Sequence, residues 1–372
     1  MKINFFINTL DGGGAEKVLV DLANQLPQDK YDITITTLLH GVHEDKLARH
    51  VHHHCIIGTR NRFVSYVLER IYCKIIPHKL FARLFLQGEY DLMVSYLEGF
   101  NTHIVAAYNG KAKRAAFVHC NTGVDTAWTQ TYRSLEECLF QYKSFDKVCF
   151  ISQDALDGFE RVVGHLSNSS VVHNVIDLRA VIEKSKVRLQ LSPHNDDTTI
   201  IKLVSVGRLT KVKGYERLLN VIARLRDEKL ICQLIICGDG DARKELENMA
   251  RRKKISNVYF LGFQSNPYPY MRKADFYVCS SYSEGYSTSV VESIALGIPV
   301  LTTDCSGMRE ILCDGEYGDI VENSEEGIYY GLKHIVTDSE HRYSLRSKAE
   351  IRSKELLAMN PLKEYTELFD NI

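Results

Sequence analysis

Apolar positions along the chain follow two alternating periods. Ile3 to Asn8 is a short apolar run that predicts a strand, and Ala15, Val18, Leu19, Leu22, Ala23 and Leu26 then recur at helical spacing. Ile33 to Leu39, rich in β-branched residues, predicts the next strand, followed by Leu92 to Tyr96, Arg114 to His119 and Lys147 to Ser152. The polar stretch LQLSPHNDDTT, residues 189–199, breaks this rhythm. A second alternation starts at Ile200: strand IIKLVSVG, helix YERLLNVIARL, strand QLIICG, helix ARKELENMARR and strand VYFLGF, then strand FYVCS, helix TSVVESIALG and strand PVLTTD. Leu362 to Ile372 predicts a terminal helix. Repeated strand–helix alternation implies an α/β protein with parallel sheets.

Two alternations imply two domains, and 372 residues exceed the ~250–300 at which single cores stop growing. The break near Asn174–Asp177 gives an N-terminal domain over 1–175, a C-terminal domain over 176–358 and a terminal helix over 359–372, expected to pack back toward the first domain. A net charge of −1 excludes a general attraction to nucleic acid, and no nucleic-acid-binding module is visible. The ten cysteines form no CxxC pair, which fits thiols kept reduced. MKINFFINTL is too short in its apolar part for a signal peptide, and no run reaches the ~18 apolar residues of a membrane span, so a cytoplasmic protein is expected.

DGGGAEK, residues 11–17, sits between the first strand and the first helix. A dinucleotide fingerprint requires G-x-G-x-x-G and an acid at the tip of the second strand. Gly12 and Gly14 fit its first two places, but Lys17 takes the third and the second strand ends Leu38-Leu39-His40-Gly41 without an acid. No Gly-Lys-Ser/Thr follows, so the Walker pattern fails too. Two readings stay open: amides at a helix start that attract an anion, or a turn that needs positive φ.

The second half carries three chemical motifs. In VGRLTKVKG, Arg208 and Lys213 follow Gly207 at the end of a strand, where two cations suit a diphosphate or are solvated. In CGDGDARKELE, Asp239 and Asp241 form a DxD that either holds a divalent metal or shapes the turn and caps the next helix; the immediate helix start favours Asp241 as the cap. In SEGYSTSVVESIALG, Glu284 precedes a helix starting near Thr288, and Glu292 lies eight places on, about 12 Å along a helix at ~1.5 Å per residue. Ser289-x-x-Glu292 also reads as a capping box.

These motifs, with FLGF and PVLTTDCSGMREIL, stand in the order and spacing of the retaining GT-B glycosyltransferases of family 4, which nearly the whole chain resembles. The resemblance implies two Rossmann-like domains facing across a cleft and a nucleotide-sugar donor, most often a UDP-sugar, held mainly by the second. It implies a diphosphate clamp at Arg208 and Lys213 after Gly207, a sugar-binding acid at Glu284 and a ribose-binding acid at Glu292. Ser287, Thr288 and Ser289 become the helix start that meets sugar and phosphate, and Gln264 the place where main chain reads the base. His119 becomes a donor-sugar contact, and Gly12, Gly13 and Gly14 the first-domain loop that closes on the donor. Arg208, Lys213, Glu284 and His119 are thus the expected catalytic group. No metal and no cofactor is expected. The implied reaction is front-face transfer with retention, driven by stabilising the departing diphosphate, because no nucleophilic carboxylate is offered on the first-domain face. The interdomain stretch His173-Asn174-Val175-Ile176-Asp177 and the Tyr286-Ser287 pair depart from the family's usual residues.

Two further segments are chemically distinctive. HVHHHC, residues 50–55, is rich in zinc-binding residue types, but on a strand His52, His53 and His54 would point to opposite faces, so a metal there is not expected. Residues 60–86 interleave Arg60, Arg62, Arg70, Lys74, Lys79 and Arg83 with Phe63, Tyr66, Tyr72, Phe81 and Phe85 against a single acid, Glu69. This pattern suits an anionic membrane surface, or a core-packed helix pair with a solvated basic face. The combined expectation is a hexose or N-acetylhexosamine transfer to a lipid-linked glycan, in capsule or lipopolysaccharide assembly, at the inner face of the cell membrane. A nucleotide-sugar epimerase and a non-catalytic sugar-nucleotide-binding subunit are the alternatives.

Overall fold

A computed structural model describes residues 1–59, 61–189 and 200–372. Arg60, the polar stretch over 190–199 and the side chains of Arg62 and Lys74 lie outside the described residues. The chain divides into two compact units, one of Met1–Ile176 with Asn360–Ile372, the other of Asp177–Met359.

The first unit holds a seven-stranded parallel sheet of β1 (Lys2–Ile7), β2 (Asp32–Thr37), β3 (Val51–Cys55), β4 (Leu92–Ser95), β5 (Lys113–Val118), β6 (Lys147–Phe150) and β7 (Ser169–Val171), ordered 3-2-1-4-5-6-7. The second unit holds β8 (Ile201–Val206), β9 (Cys232–Cys237), β10 (Val258–Gly262), β11 (Phe276–Cys279), β12 (Val300–Thr303) and β13 (Asp319–Val321), ordered 10-9-8-11-12-13. Helices join successive strands, as parallel pairing demands. Central strands such as β4, β9 and β11 are buried at every position, which is why they read as unbroken apolar runs.

The winding direction reverses between β1 and β4 in one sheet and between β8 and β11 in the other. Loops at the carboxyl ends of those strands therefore diverge and leave a crevice, where open α/β sheets bind ligands. The glycine loop follows β1, Gly207 and Arg208 follow β8, and Glu284 follows β11. The terminal helix, Pro361–Asp370, belongs to the first unit: Phe369 packs edge-on to Phe5 and Tyr31, and Tyr365 stacks on Phe117.

Candidate functional site

In the second unit, three loops meet at the segment after β8. The segment after β8 makes a short turn over Lys211–Lys213 and closes at Gly214. Gly214 has φ +62°, and a Cβ there would lie 2.1 Å from the Ser280 carbonyl oxygen, so only glycine lets this loop touch the loop after β11. Ser280 Oγ donates to the Lys213 carbonyl at 2.9 Å. Arg217 fastens the same contact, its Nε and Nη2 both donating to the Ser280 carbonyl oxygen at 2.8 and 2.6 Å while its guanidinium lies 3.8 Å from the Tyr282 ring centre. Thr303 Oγ1 donates to the Ser281 carbonyl from β12. The third wall is the Gly238–Gly240 turn, where a Cβ on Gly238 would sit 1.9 Å from the Gly207 oxygen.

This scaffold places the Lys213 ammonium against both Glu284 oxygens, at 2.7 and 2.8 Å, and the Ser281 hydroxyl against Oε1 at 2.5 Å. The Glu284 carboxylate is only 10% exposed. Burial works against the Lys213 charge, but Glu284 beside it prevails and holds the lysine above its ordinary pKa. Burial, and then the Glu284 charge, push the neighbouring Cys279 thiol up. Arg208 is exposed at the mouth of this loop, and its guanidinium makes no hydrogen bond or ion pair among the described residues. The site thus holds one cation already matched to an acid and one unmatched cation.

The helix after Glu284 spans Thr288–Ala295, with Ser287 as its N-cap residue. Ser289 is therefore the second helical residue, and the expected capping box with Glu292 is out of register. Its hydroxyl instead lies 2.7 Å from the Tyr277 hydroxyl, which donates to the Val206 carbonyl at 3.0 Å, and 3.2 Å from Ser287 Oγ. Glu292 is 4% exposed and accepts from the buried Tyr268 hydroxyl at 3.1 Å. As at any helix start, the Thr288 and Ser289 amides have no partner inside the helix. Gln264 follows β10, its side-chain amide donating to the Leu261 carbonyl at 2.9 Å.

The DxD turn also differs from expectation. The helix over Arg243–Arg252 is capped at Ala242, so Asp241 stands one residue too early to cap it. Asp239 does shape the turn: it accepts from Gly240 N at 2.8 Å and from Arg243 at 2.7 Å, and these bonds hold its carboxyl below the usual range.

In the first unit, Gly13 is the N-cap of the helix over Gly14–Gln25, with φ −92° and ψ 166°. That conformation is open to any residue and Gly14 is helical, so positive φ is not what calls for glycine at these two positions. What glycine supplies there is a helix start bare of side chains. His119 follows β5 and rests against Tyr96 at 4.8 Å between ring centres. Neither of its buried ring nitrogens makes a hydrogen bond within the described residues, and burial pushes its pKa down to about 3, so the imidazole is neutral. Its backbone N–H donates to Glu98 Oε2 at 3.0 Å. Burial pushes the Glu98 carboxyl up, against the pull of the His119 amide, its own amide and the Cys120 thiol.

Glu98, Arg217, Tyr268 and Tyr277 were not singled out from the sequence. Arg217 had a signal, an arginine inside the apolar stripe of Tyr215, Leu218, Leu219 and Ile222. Glu98 had a positional one, an acid just past the end of a central strand. The two tyrosines had none, being ordinary apolar positions by pattern.

The basic segment folds as two helices, Arg62–Lys74 and His78–Phe85. Tyr72, Phe81 and Phe85 pack on one another, whereas Phe63, Tyr66, Ile75, Leu80 and Leu84 are exposed. No helix of the described residues is long and apolar enough to cross a membrane.

Two family descriptions match the chain: Glycosyltransferase Family 4 over residues 12–180, and Glycosyl transferases group 1 over residues 188–352. The chain is 27% identical over 363 residues to the Campylobacter jejuni N-acetylgalactosamine-N,N'-diacetylbacillosaminyl-diphospho-undecaprenol 4-alpha-N-acetylgalactosaminyltransferase, covering 95% of each chain. It is 25% identical to that organism's GalNAc-alpha-(1->4)-GalNAc-alpha-(1->3)-diNAcBac-PP-undecaprenol alpha-1,4-N-acetyl-D-galactosaminyltransferase, covering 100% of this chain and 99% of the other. The crystal structure of Anabaena HepE with UDP and glucose superposes over the whole of both chains with a TM-score of 0.76 at 18% identity.

Proposed function

The chain belongs to the GT-B glycosyltransferases, and on that premise we propose that it moves a hexose or N-acetylhexosamine from a UDP-sugar to a lipid-linked glycan with retention of configuration. The observation that carries this reading is the half-buried Lys213–Glu284 pair beside the unmatched Arg208 and the start of helix Thr288–Ala295. A diphosphate needs more positive charge than one paired lysine supplies, and Arg208 with the Thr288 and Ser289 amides provides it. Glu284 keeps acceptor capacity beyond Lys213 and Ser281, which suits sugar hydroxyls. Glu292, held by Tyr268, takes the ribose hydroxyls. The UDP found in HepE supports this donor, and the undecaprenol-linked acceptors of the two Campylobacter relatives support a lipid-linked acceptor.

In the proposed chemistry the acceptor hydroxyl attacks the anomeric carbon on the face the diphosphate leaves. The carbon–oxygen bond to acceptor forms as the bond to phosphate breaks, and the hydroxyl proton passes to a phosphate oxygen. Arg208, Lys213 and the helix start stabilise the charge that builds on the leaving group, already oriented before the reaction begins. In this scheme the Gly12, Gly13 and Gly14 loop and His119 of the first unit act on sugar and acceptor rather than on the diphosphate, and His119 is neutral and does not titrate near neutral pH. No metal takes part in this scheme. The exposed Phe63, Tyr66, Ile75, Leu80 and Leu84, among basic residues, rest on an anionic membrane surface where the acceptor lies.

The test is transfer from UDP-N-acetylgalactosamine or UDP-glucose to a polyprenyl-diphosphate glycan, with the product anomer read by NMR. An α-linked product from the α-linked donor is expected. A β-linked product overturns retention, and acceptor-free conversion of the UDP-sugar to its epimer overturns transfer.

A further inference from the structure

The histidine-rich strand meets an unassigned cluster. Along β3, His52 and His54 are exposed, while His53 and Cys55 face the other way, paired with Ile35 and Thr37 of β2. Beyond β2 the chain turns back through His40 and Gly41 to Glu44. His40 Nδ1 lies 3.0 and 2.9 Å from the two Glu44 oxygens, and the Gly41 amide donates to Glu44 Oε1 at 2.9 Å. His53 Nε2 is 3.9 Å from that same oxygen and 3.0 Å from Thr37 Oγ1. One ligand atom from each of His40, Glu44 and Cys55 lies within 4.8 Å of the others. The strand's alternation thus excludes three converging histidines, but brings one histidine and the cysteine together with a second histidine and an acid from the preceding turn.

We propose that His40, Glu44 and Cys55, with His53 as the fourth ligand, bind a zinc-class divalent cation. The donor set decides the class: a thiolate and imidazoles select zinc over magnesium or calcium, which take oxygen ligands. Tetrahedral zinc with bonds of ~2.0–2.3 Å needs ligand atoms roughly 3.3–3.7 Å apart. The observed separations bracket that span, so the His40–Glu44 contact opens slightly and the cysteine closes in. Binding releases the Cys55 thiol proton, now directed to the Ile57 carbonyl at 3.4 Å, and turns the His40 Nδ1 lone pair to the metal. Thiolate and carboxylate then neutralise the dication, which suits a half-buried place.

The location gives the ion a structural purpose. The His40 carbonyl accepts from Thr9 Oγ1 at 3.1 Å, and His43 N donates to the Leu10 carbonyl at 2.9 Å. A Cβ on Gly41 would sit 2.1 Å from the Leu10 carbonyl carbon. The turn that carries His40 and Glu44 is therefore the wall against which the chain entering Gly12–Gly14 rests. A bound ion pins that wall to β3 and stiffens the approach to the glycine loop. It is built entirely from first-unit residues and takes no part in the transfer chemistry proposed above.

Full-length protein without a histidine tag, stripped with chelator, is titrated with zinc against a chromophoric chelator and with cobalt by absorption. One metal per chain is expected, with a thiolate-to-cobalt charge-transfer band in the near ultraviolet and a zinc-dependent rise in melting temperature. Cys55→Ser should lose the band and the thermal shift while its circular dichroism stays native. His53→Gln should weaken zinc by about 10-fold or more, and His52→Gln, on the opposite face, should change nothing. Absence of stoichiometric zinc uptake, or a cobalt band that survives Cys55→Ser, overturns the site.

Discussion

The two units share one sheet plan and place their candidate residues at the same topological position, yet their electrostatics are opposite. In the second unit that position is built from full charges: Lys213 locked to Glu284, Arg208 open, Glu292 buried on Tyr268. In the first it is built from less strongly charged groups: the helix-start amide of Gly14, an imidazole that burial holds uncharged, and a carboxyl whose pKa burial raises. The fold decides where a ligand is met, and local burial decides what kind of charge meets it. Under the proposed function, the diphosphate belongs to the second unit and the shaping of sugar and acceptor to the first.

The largest way to break this comparison lies in the charged cluster. Lys213→Ala and Glu284→Ala should each lower kcat/KM for transfer by roughly 10²–10³-fold, measured with saturating acceptor. Each single change leaves a shielded partner uncompensated, so the double variant should lose less than the sum of the two in free energy. Strict additivity would show that the pair does not act as a unit. A smaller effect is expected in the first unit. His119→Ala should cost roughly 5-fold in kcat, as the loss of one neutral hydrogen bond of ~1 kcal/mol implies. Glu98→Gln should cost less than that, because an amide oxygen in the same place can still accept from the His119 N–H. A 10²-fold loss in Glu98→Gln would mean that its charge is used.

A third expected effect is on stability. Burial holds His43 and His103 at about 4 and His119 at about 3, all below the ordinary histidine value. Between those values and about 6.5 the unfolded chain binds protons that the folded chain does not. Stability from these groups is therefore complete above about pH 6.5 and is lost as pH falls toward 4, by up to ~1.4 kcal/mol per pH unit for each. Urea unfolding at successive pH values should show this slope, and His103→Asn should flatten it by one proton's share. An unchanged slope would show that His103 titrates normally.

What the sequence revealed depended on how far each signal reached along the chain. Strands such as β9 and β11 were legible because burial on both faces leaves an unbroken apolar run. The helix over Ser339–Ala358 was not, because its buried stripe of Leu345, Ala349, Arg352 and Leu356 includes an arginine. That arginine is buried because it pairs with its i,i+3 neighbour Glu355 and donates to the Ile311 carbonyl at 3.2 Å, a partner 41 residues away that no local pattern announces. Capping failed at a smaller scale: the cap falls at Ala242, one residue after Asp241, and at Ser287, two residues before Ser289. The motif residues of the second unit were legible one by one, but the Lys213–Glu284 pair joins positions 71 residues apart and comes from the fold alone. The metal-ligand cluster illustrates the same limit, since β3 supplied only two of its four members.

The most direct test of the division between the units is calorimetric binding of UDP to full-length variants, set beside their transfer rates. Lys213→Ala and Arg208→Ala should each weaken UDP by about 10-fold or more, while Gly13→Val and His119→Ala should bind UDP within about twofold of the unmodified protein and still transfer more slowly. UDP binding that survives in Lys213→Ala and Arg208→Ala but collapses in Gly13→Val would place the diphosphate on the first unit and contradict the account.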